Sequence, residues 1–230
     1  MISPSPAPRG LRDGSLGFLL VCSADFTMTE QQATQTIPIV FAQVSDPVGG
    51  GFVKSLARPG GNVTGFALYE YAMGVKWLEL LNQIAPRVNR AAVIYDPDNR
   101  SNLGQLPEIE NRAPSFGMRL SGGLIVLPNP VTVTHRKLII AQAAKRRLPA
   151  VYAYRFYVTS GGLASYGVHI FDLYRRAASY VDRILKGENP GELSVQYADK
   201  FELVINLKTA KALNLDPPNS LLARTDEVIE

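Results

Sequence analysis

Ile37-Pro38-Ile39-Val40-Phe41-Ala42, with Ser45-Asp46-Pro47 close behind it, decides how this chain folds. The first stretch is short, apolar and rich in β-branched residues, the mark of a strand buried on both faces of a parallel sheet. The second reads as a helix start. Ser or Asp can accept from the first free N–H groups, and Pro at the first helical position gives up no hydrogen bond. The predicted helix carries Phe52, Val53 and Leu56, runs to Arg58 and stops at Pro59-Gly60-Gly61. Asn62 to Phe66 is then extended.

The same logic recurs downstream. Gly74 to Ile84 places Val75, Leu78, Leu81 and Ile84 at helical spacing, with Pro86 after them. Further buried strands are expected at Ala91–Tyr95, Gly123–Leu127 and Pro149–Ala153, with a helix from about Thr134 to Arg146. Ser165–Val168 is extended, Phe171–Leu185 is an amphipathic helix stopped by Gly187, Phe201–Asn206 is strand-like, and Lys208–Leu213 is a helix. Strands alternating with helices predict an α/β fold with doubly wound parallel sheets. Ligands in such folds bind beyond the carboxyl ends of the strands. One region departs from the pattern. Between Arg112 and Gly122 no complete helix is legible, so the chain reads as short by about one βα unit there.

The chain has 230 residues, 46% hydrophobic and 19% charged, which is ordinary for a globular protein and enough for one large domain or two small lobes. The net charge of +4 is scattered. Its densest cluster, Lys145-Arg146-Arg147, closes an apolar helix where cations suit the dipole, so no nucleic-acid partner is expected. Cys22 is the single cysteine, which excludes an internal disulfide. A thiol nucleophile at Cys22 would need a nearby His, and neither His135 nor His169 lies in a catalytic pattern. The apolar run Gly17–Cys22 follows Arg9 and Arg12 but is too short for a secretory core, and no run is long enough to span a membrane. A chain that starts at Met1 would on this reading stay in the cytoplasm.

No phosphate-binding loop, nucleophile elbow, metal-binding His pair or dinucleotide fingerprint occurs, and Gly49-Gly50-Gly51 lacks the Lys-Ser/Thr a phosphate loop needs. No cofactor, metal or catalytic set is therefore expected. Asp46, Asp96 and Asp98 sit beside prolines, where Asp caps and turns before it binds ligands. Asn129 lies between two prolines; it reads either as a turn residue or as an amide offering a donor and an acceptor to a zwitterionic solute. Tyr152, Tyr154, Phe156, Tyr157 and Tyr166 gather around strand ends, where they could stack on a solute or simply fill the core.

Several long stretches, in order, resemble one family. They are Ala33–Phe41, Ser45-Asp46-Pro47-Val48, Ser55–Gly65, Gly122–Pro130, Leu148–Tyr154, Tyr174–Ala178, Lys200–Leu213 and Ser220–Arg224. Together they closely resemble the ABC-transporter substrate-binding proteins that include tryptophan and tyrosine binders, over about residues 31 to 230. The resemblance implies a type I periplasmic-binding fold. Two Rossmann-like lobes with parallel sheets would be joined by three crossovers, near 62–66, 165–168 and 198–201, and would close on a solute. The first lobe would comprise 31–64 and 168–198 and be incomplete, with an unpaired edge near Ile37–Phe41. The second would comprise 65–167 and 199–230, and residues 1–30 would be an atypical leading segment. The implied role is the solute-binding, non-enzymatic component of an importer in the periplasm. Its partners would be a small polar or amino-acid-like solute and the permease subunits. The expected ligand-binding residues are Ser45, Asp46, Asp96, Asn129, Tyr152, Tyr154 and Tyr166. The rival readings are a shortened non-binding remnant, a cytoplasmic sensor-like module and, last, a Rossmann-type enzyme.

Overall fold

The computed structural model describes residues 17–21, 31 and 34–230, with backbone alone at 119–121. Cys22 and most of the leading segment lie outside the described residues. The chain forms two compact units, Met1–Glu70 with His169–Asp199, and Tyr71–Val168 with Lys200–Glu230.

The first unit is built on a parallel four-stranded sheet in the order β1-β2-β3-β8, with β1 Leu19–Val21, β2 Ile39–Val44, β3 Val63–Ala67 and β8 Gln196–Tyr197. Five of the six β2 residues are buried, as a continuous apolar run predicts. Ile39, Phe41 and Val44 pack with Phe52, Val53, Val63 and Val195 on one side of the sheet. A helix at Ile170–Leu185, numbered α6 in chain order, buries Leu173, Ala177, Tyr180 and Ile184, which recur at helical spacing. His169 caps it by accepting from the Asp172 N–H, and Gly187 at φ 100° ends it.

Two expectations fail in this unit. The edge at Ile37–Phe41 is not open: β1 pairs Leu19, Leu20 and Val21 with Ile39, Val40 and Phe41, so β2 is flanked on both sides. The helix expected after Pro47 is a series of turns. Asp46 Oδ1 accepts from Gly49 N at 2.8 Å, and the Gly50 and Phe52 N–H groups return to Asp46 and Pro47 carbonyls. Asp46 does accept from a following N–H, but Gly49-Gly50-Gly51 withholds helix propensity and Gly51 adopts φ 76°.

The second unit has a six-stranded sheet in the order β10-β9-β7-β6-β5-β4. The strands are β4 Arg90–Ile94, β5 Arg119–Val126, β6 Ala150–Tyr152, β7 Ala164–Val168, β9 Phe201–Asn206 and β10 Glu227–Ile229. All pairs are parallel except β7 with β9. The helices are α1 Met73–Ile84, α2 Arg100–Arg112, α3 Pro130–Thr134, α4 Arg136–Lys145, α5 Arg155–Thr159, then beyond α6, α7 Leu207–Ala212 and α8 Asn219–Leu222. Trp77 of α1 is fully buried, and its indole Nε1 donates to the Tyr166 carbonyl of β7 at 2.7 Å.

Helix α2 corrects the reading of the 112–122 region. It supplies the crossover from β4 to β5, which are direct parallel neighbours. The irregularity has moved into the strand pair itself: Arg90 pairs with Arg119, whereas Ala91 pairs with Gly123. The chain enters the second unit after Glu70, later than the expected boundary at 64, because β3 stays paired with β2 and β8 through Ala67. Among the described residues, no helix is long and apolar enough to cross a membrane.

Candidate functional site

In the first unit the carboxyl ends of β2 and β8 carry the polar groups. Ser45 and Asp46 are half-buried there. Beside them the phenol of Tyr197 is raised above the ordinary tyrosine range, first by burial and then by the negative charges of Asp46 and Glu70. It therefore stays a neutral hydrogen-bond donor. Gln43, which the sequence reading passed over, is the most unusual residue at this edge. It has φ 65°, a left-handed conformation that costs a non-glycine residue on the order of 1–2 kcal/mol. It forms a bulge, since Ala42 pairs with Phe66 and Val44 with Ala67. Its Nε2 donates to the Tyr174 hydroxyl of α6 at 2.7 Å. The available sequence signal was a single polar residue interrupting an apolar strand.

In the second unit the carboxyl ends of β4 and β5 are tied by one network. Asn102 of α2 is fully buried, and its Oδ1 accepts from Asp96 N at 3.1 Å and from Asn129 Nδ2 at 2.9 Å. Asn102 Nδ2 donates to the Pro128 carbonyl at 3.1 Å. Asn129 also donates to the Leu127 carbonyl, and its Oδ1 caps α3 by accepting from Thr132 N at 2.8 Å. Both amide hydrogens of Asn129 are thus committed within the unit, which fits the turn reading and leaves one carbonyl lone pair for a solute. Asp96 accepts from Asp98 N at 3.0 Å and is half-buried, whereas Asp98 is exposed.

The tyrosines separate into different environments. Tyr152 is 1% exposed and stacks on Tyr157 at 4.7 Å between ring centres. Phe156 follows at 5.2 Å and Tyr154 at 5.1 Å, giving a four-ring ladder that runs from the core to half-buried Tyr154 at the start of α5. Arg136 lies over Phe156 at 5.7 Å. Tyr152 is thus a core residue and Tyr154 the half-buried end of the ladder. Tyr166 belongs elsewhere: its ring stacks on Phe201 at 5.6 Å and lines a groove of about 310 Å³ with Lys76, Glu79, Gln83, Arg224 and Asp226. It faces α1, away from the ladder.

Burial is the main cause that raises the hydroxyls of Tyr152, Tyr154 and Tyr157 above the ordinary range; for Tyr152 and Tyr154 the neighbouring Tyr157 adds to it. Because the folded values lie above the unfolded one, these phenols contribute stability that is present below pH ~10 and lost as pH rises past it. Absorbance titration should show their tyrosinate signal appearing together with loss of near-ultraviolet circular dichroism. Free titration of all ten tyrosines near pH ~10 in a folded protein would contradict the enclosure of the ladder.

Among the described residues, no group of three or more His, Cys, Asp and Glu side chains could hold a metal ion. The family model for ABC transporter substrate binding proteins matches residues 19–122 and 121–229, the two segments meeting where β4 and β5 lose register. A tyrosine-binding protein of Clostridioides difficile is 29% identical over an alignment 204 residues long that covers 80% of this chain. The chain spans 59% of that relative's length. A conserved domain protein from Vibrio cholerae has a crystal structure that superposes with a TM-score of 0.87 at 29% identity, covering 96% of this chain and 81% of its own. An ABC domain from Streptococcus pneumoniae, solved in complex with L-Trp, shares the fold with a TM-score of 0.87 at 22% identity, covering 95% of this chain and 80% of that one. Since the family model runs through both units, from β1 to β10, the chain belongs to the ABC transporter substrate-binding protein family.

Proposed function

We propose that the protein binds a small amino-acid-like solute, with an aromatic side chain preferred, as the solute-binding component of an ABC importer acting outside the cytoplasm with permease partners. The observation that carries this reading is the aromatic ladder that reaches Tyr154 at the carboxyl end of β6, the edge at which parallel sheets bind ligands. Family membership supports it, as do a relative named for tyrosine and a fold neighbour holding L-Trp. Ser45 and Asp46 at the carboxyl edge of the first unit's sheet, and Asp96 and Tyr154 at that of the second unit's sheet, are each candidate ligand-facing residues within their own unit. Asn129 acts mainly by holding the edge in place, Tyr152 by backing the ladder, and Tyr166 faces its own groove. A binding role asks for no turnover, and no nucleophile-base pair is required of these residues.

Calorimetry and thermal shift with L-Trp, L-Tyr, L-Leu and L-Ala test the reading. One aromatic amino acid should bind saturably, and at a hundredfold excess over Kd should stabilise by about 2.7 kcal/mol, which is roughly 5–10 °C for a chain of this size. No heat and no shift with any of them would overturn it. That outcome would favour the second reading, a non-binding remnant, whose motivating observation is the register break between β4 and β5.

A further inference from the structure

We propose that Gln43 is a specificity-determining ligand contact, its strained backbone retained because it aims a side-chain amide at the α-amino-carboxylate group of the solute. The inference rests on the binding role proposed above and adds a residue and a ligand group to it.

The bulge at the end of β2 requires a left-handed residue between Ala42 and Val44, and glycine meets that need without strain. The chain instead places there a side chain long enough to reach α6, ending in an amide. A backbone outlier held by well-packed neighbours is a signature of a functional position. The neighbours are well packed here, since Phe41, Ala42 and Val44 are all buried.

A purely structural account would make Gln43 a tether for α6 through Tyr174. That helix is already held by the buried Leu173, Ala177, Tyr180 and Ile184, and by the Tyr180 hydroxyl donating to the Ser194 carbonyl at 2.6 Å. The tether adds little to such an anchorage. The amide has valences to spare. Gln43 is half-buried, and its bond to Tyr174 uses one of its sites. A phenol both donates and accepts, so at least one N–H and one carbonyl lone pair remain whichever way the amide is turned. An adjacent donor and acceptor match a carboxylate and an ammonium on one carbon. Tyr174 then acts as a positioning residue that fixes the amide.

The test compares wild type, Gln43→Gly and Gln43→Glu by melting and by calorimetry with L-Tyr, L-Trp and tyramine, which lacks the carboxylate. Gln43→Gly should melt at or above wild type, because the strain is relieved, yet bind the aromatic amino acid at least tenfold more weakly. Gln43→Glu should lose more affinity for the amino acid than for tyramine, because its charge opposes the carboxylate. If wild type binds and Gln43→Gly binds with unchanged Kd, this inference alone falls. If Gln43→Gly melts well below wild type, the side chain is a structural tether and the inference falls too. If wild type binds neither amino acid, the binding role fails together with it.

Discussion

Gly65→Ala is expected to destabilise the first unit by about 4 kcal/mol, enough to unfold a marginal domain. Gly65 lies in β3 at φ 153°, directly opposite Phe41 of β2. A Cβ there would stand 2.0 Å from the Phe41 carbonyl oxygen and 2.7 Å from its nitrogen. Both are backbone atoms of the fully buried Phe41, so no side chain can swing away. Overpacking costs about 1–3 kcal/mol and a left-handed alanine about 1–3 kcal/mol more. Equilibrium urea unfolding by far-ultraviolet circular dichroism checks this, with a midpoint loss of roughly 1 M or more. Gly61→Ala is the control, since nothing lies within 4 Å of its added Cβ. A Gly65→Ala midpoint equal to the control's would mean that β2 and β3 can slide apart cheaply.

The strand containing Phe41 was legible because its apolar run has no other use than burial on both faces. The helix α6 was legible for a related reason: Leu173, Ala177, Tyr180 and Ile184 repeat at the helical period. Helix α2 broke both rules. Pro107 sits inside it, and two of its three buried residues are Asn102 and Gln105. Its Gly104 reads locally as a helix weakener, yet an added Cβ would stand 2.3 Å from the Tyr71 ring, a contact between segments far apart in sequence. Pattern and propensity see neither the ring nor the buried amide network, so a real crossover looked like a deletion.

The loops of the candidate site were legible, and the commitments of their polar groups were not. Counting residues after each strand reaches the loops at the carboxyl ends of the sheets, where parallel sheets present ligand-facing groups. Whether a polar group there is free depends on distant partners. The donors of Asn129 are taken by Asn102, 27 residues away, and by Leu127. Tyr152 turns inward onto Tyr157, whereas Tyr154, two residues on, stays at the half-buried end of the ladder. Gln43 is inconspicuous in the sequence because its left-handed backbone and its bond to Tyr174, 131 residues away, leave no local trace.

Asn102→Ala should cost about 3–4 kcal/mol, more than any substitution among the seven residues first expected to bind ligand. The substitution removes one acceptor serving Asp96 N and Asn129 Nδ2, and one donor to the Pro128 carbonyl. Asn129 is itself buried, so its amide loses a partner in a largely desolvated place. A buried polar group left unpaired costs about 1–3 kcal/mol, and two such groups outweigh the small loss of apolar contact. Asn129→Ala should cost less, about 2 kcal/mol: α3 loses its cap, but Asn102 keeps Asp96 N, and the Leu127 carbonyl keeps the Thr132 hydroxyl. Scanning calorimetry should then place the Asn102→Ala melt roughly 10 °C below wild type, with Asn129→Ala between them. The reverse order would mean that the cap, and not the shared acceptor, holds the carboxyl edge of this sheet. Saturating aromatic solute gives the functional side of the same experiment. If Asn102 only shapes the edge, bound solute should raise the variant's melting point by a smaller increment than it raises wild type's, because part of the binding energy goes into re-forming the edge.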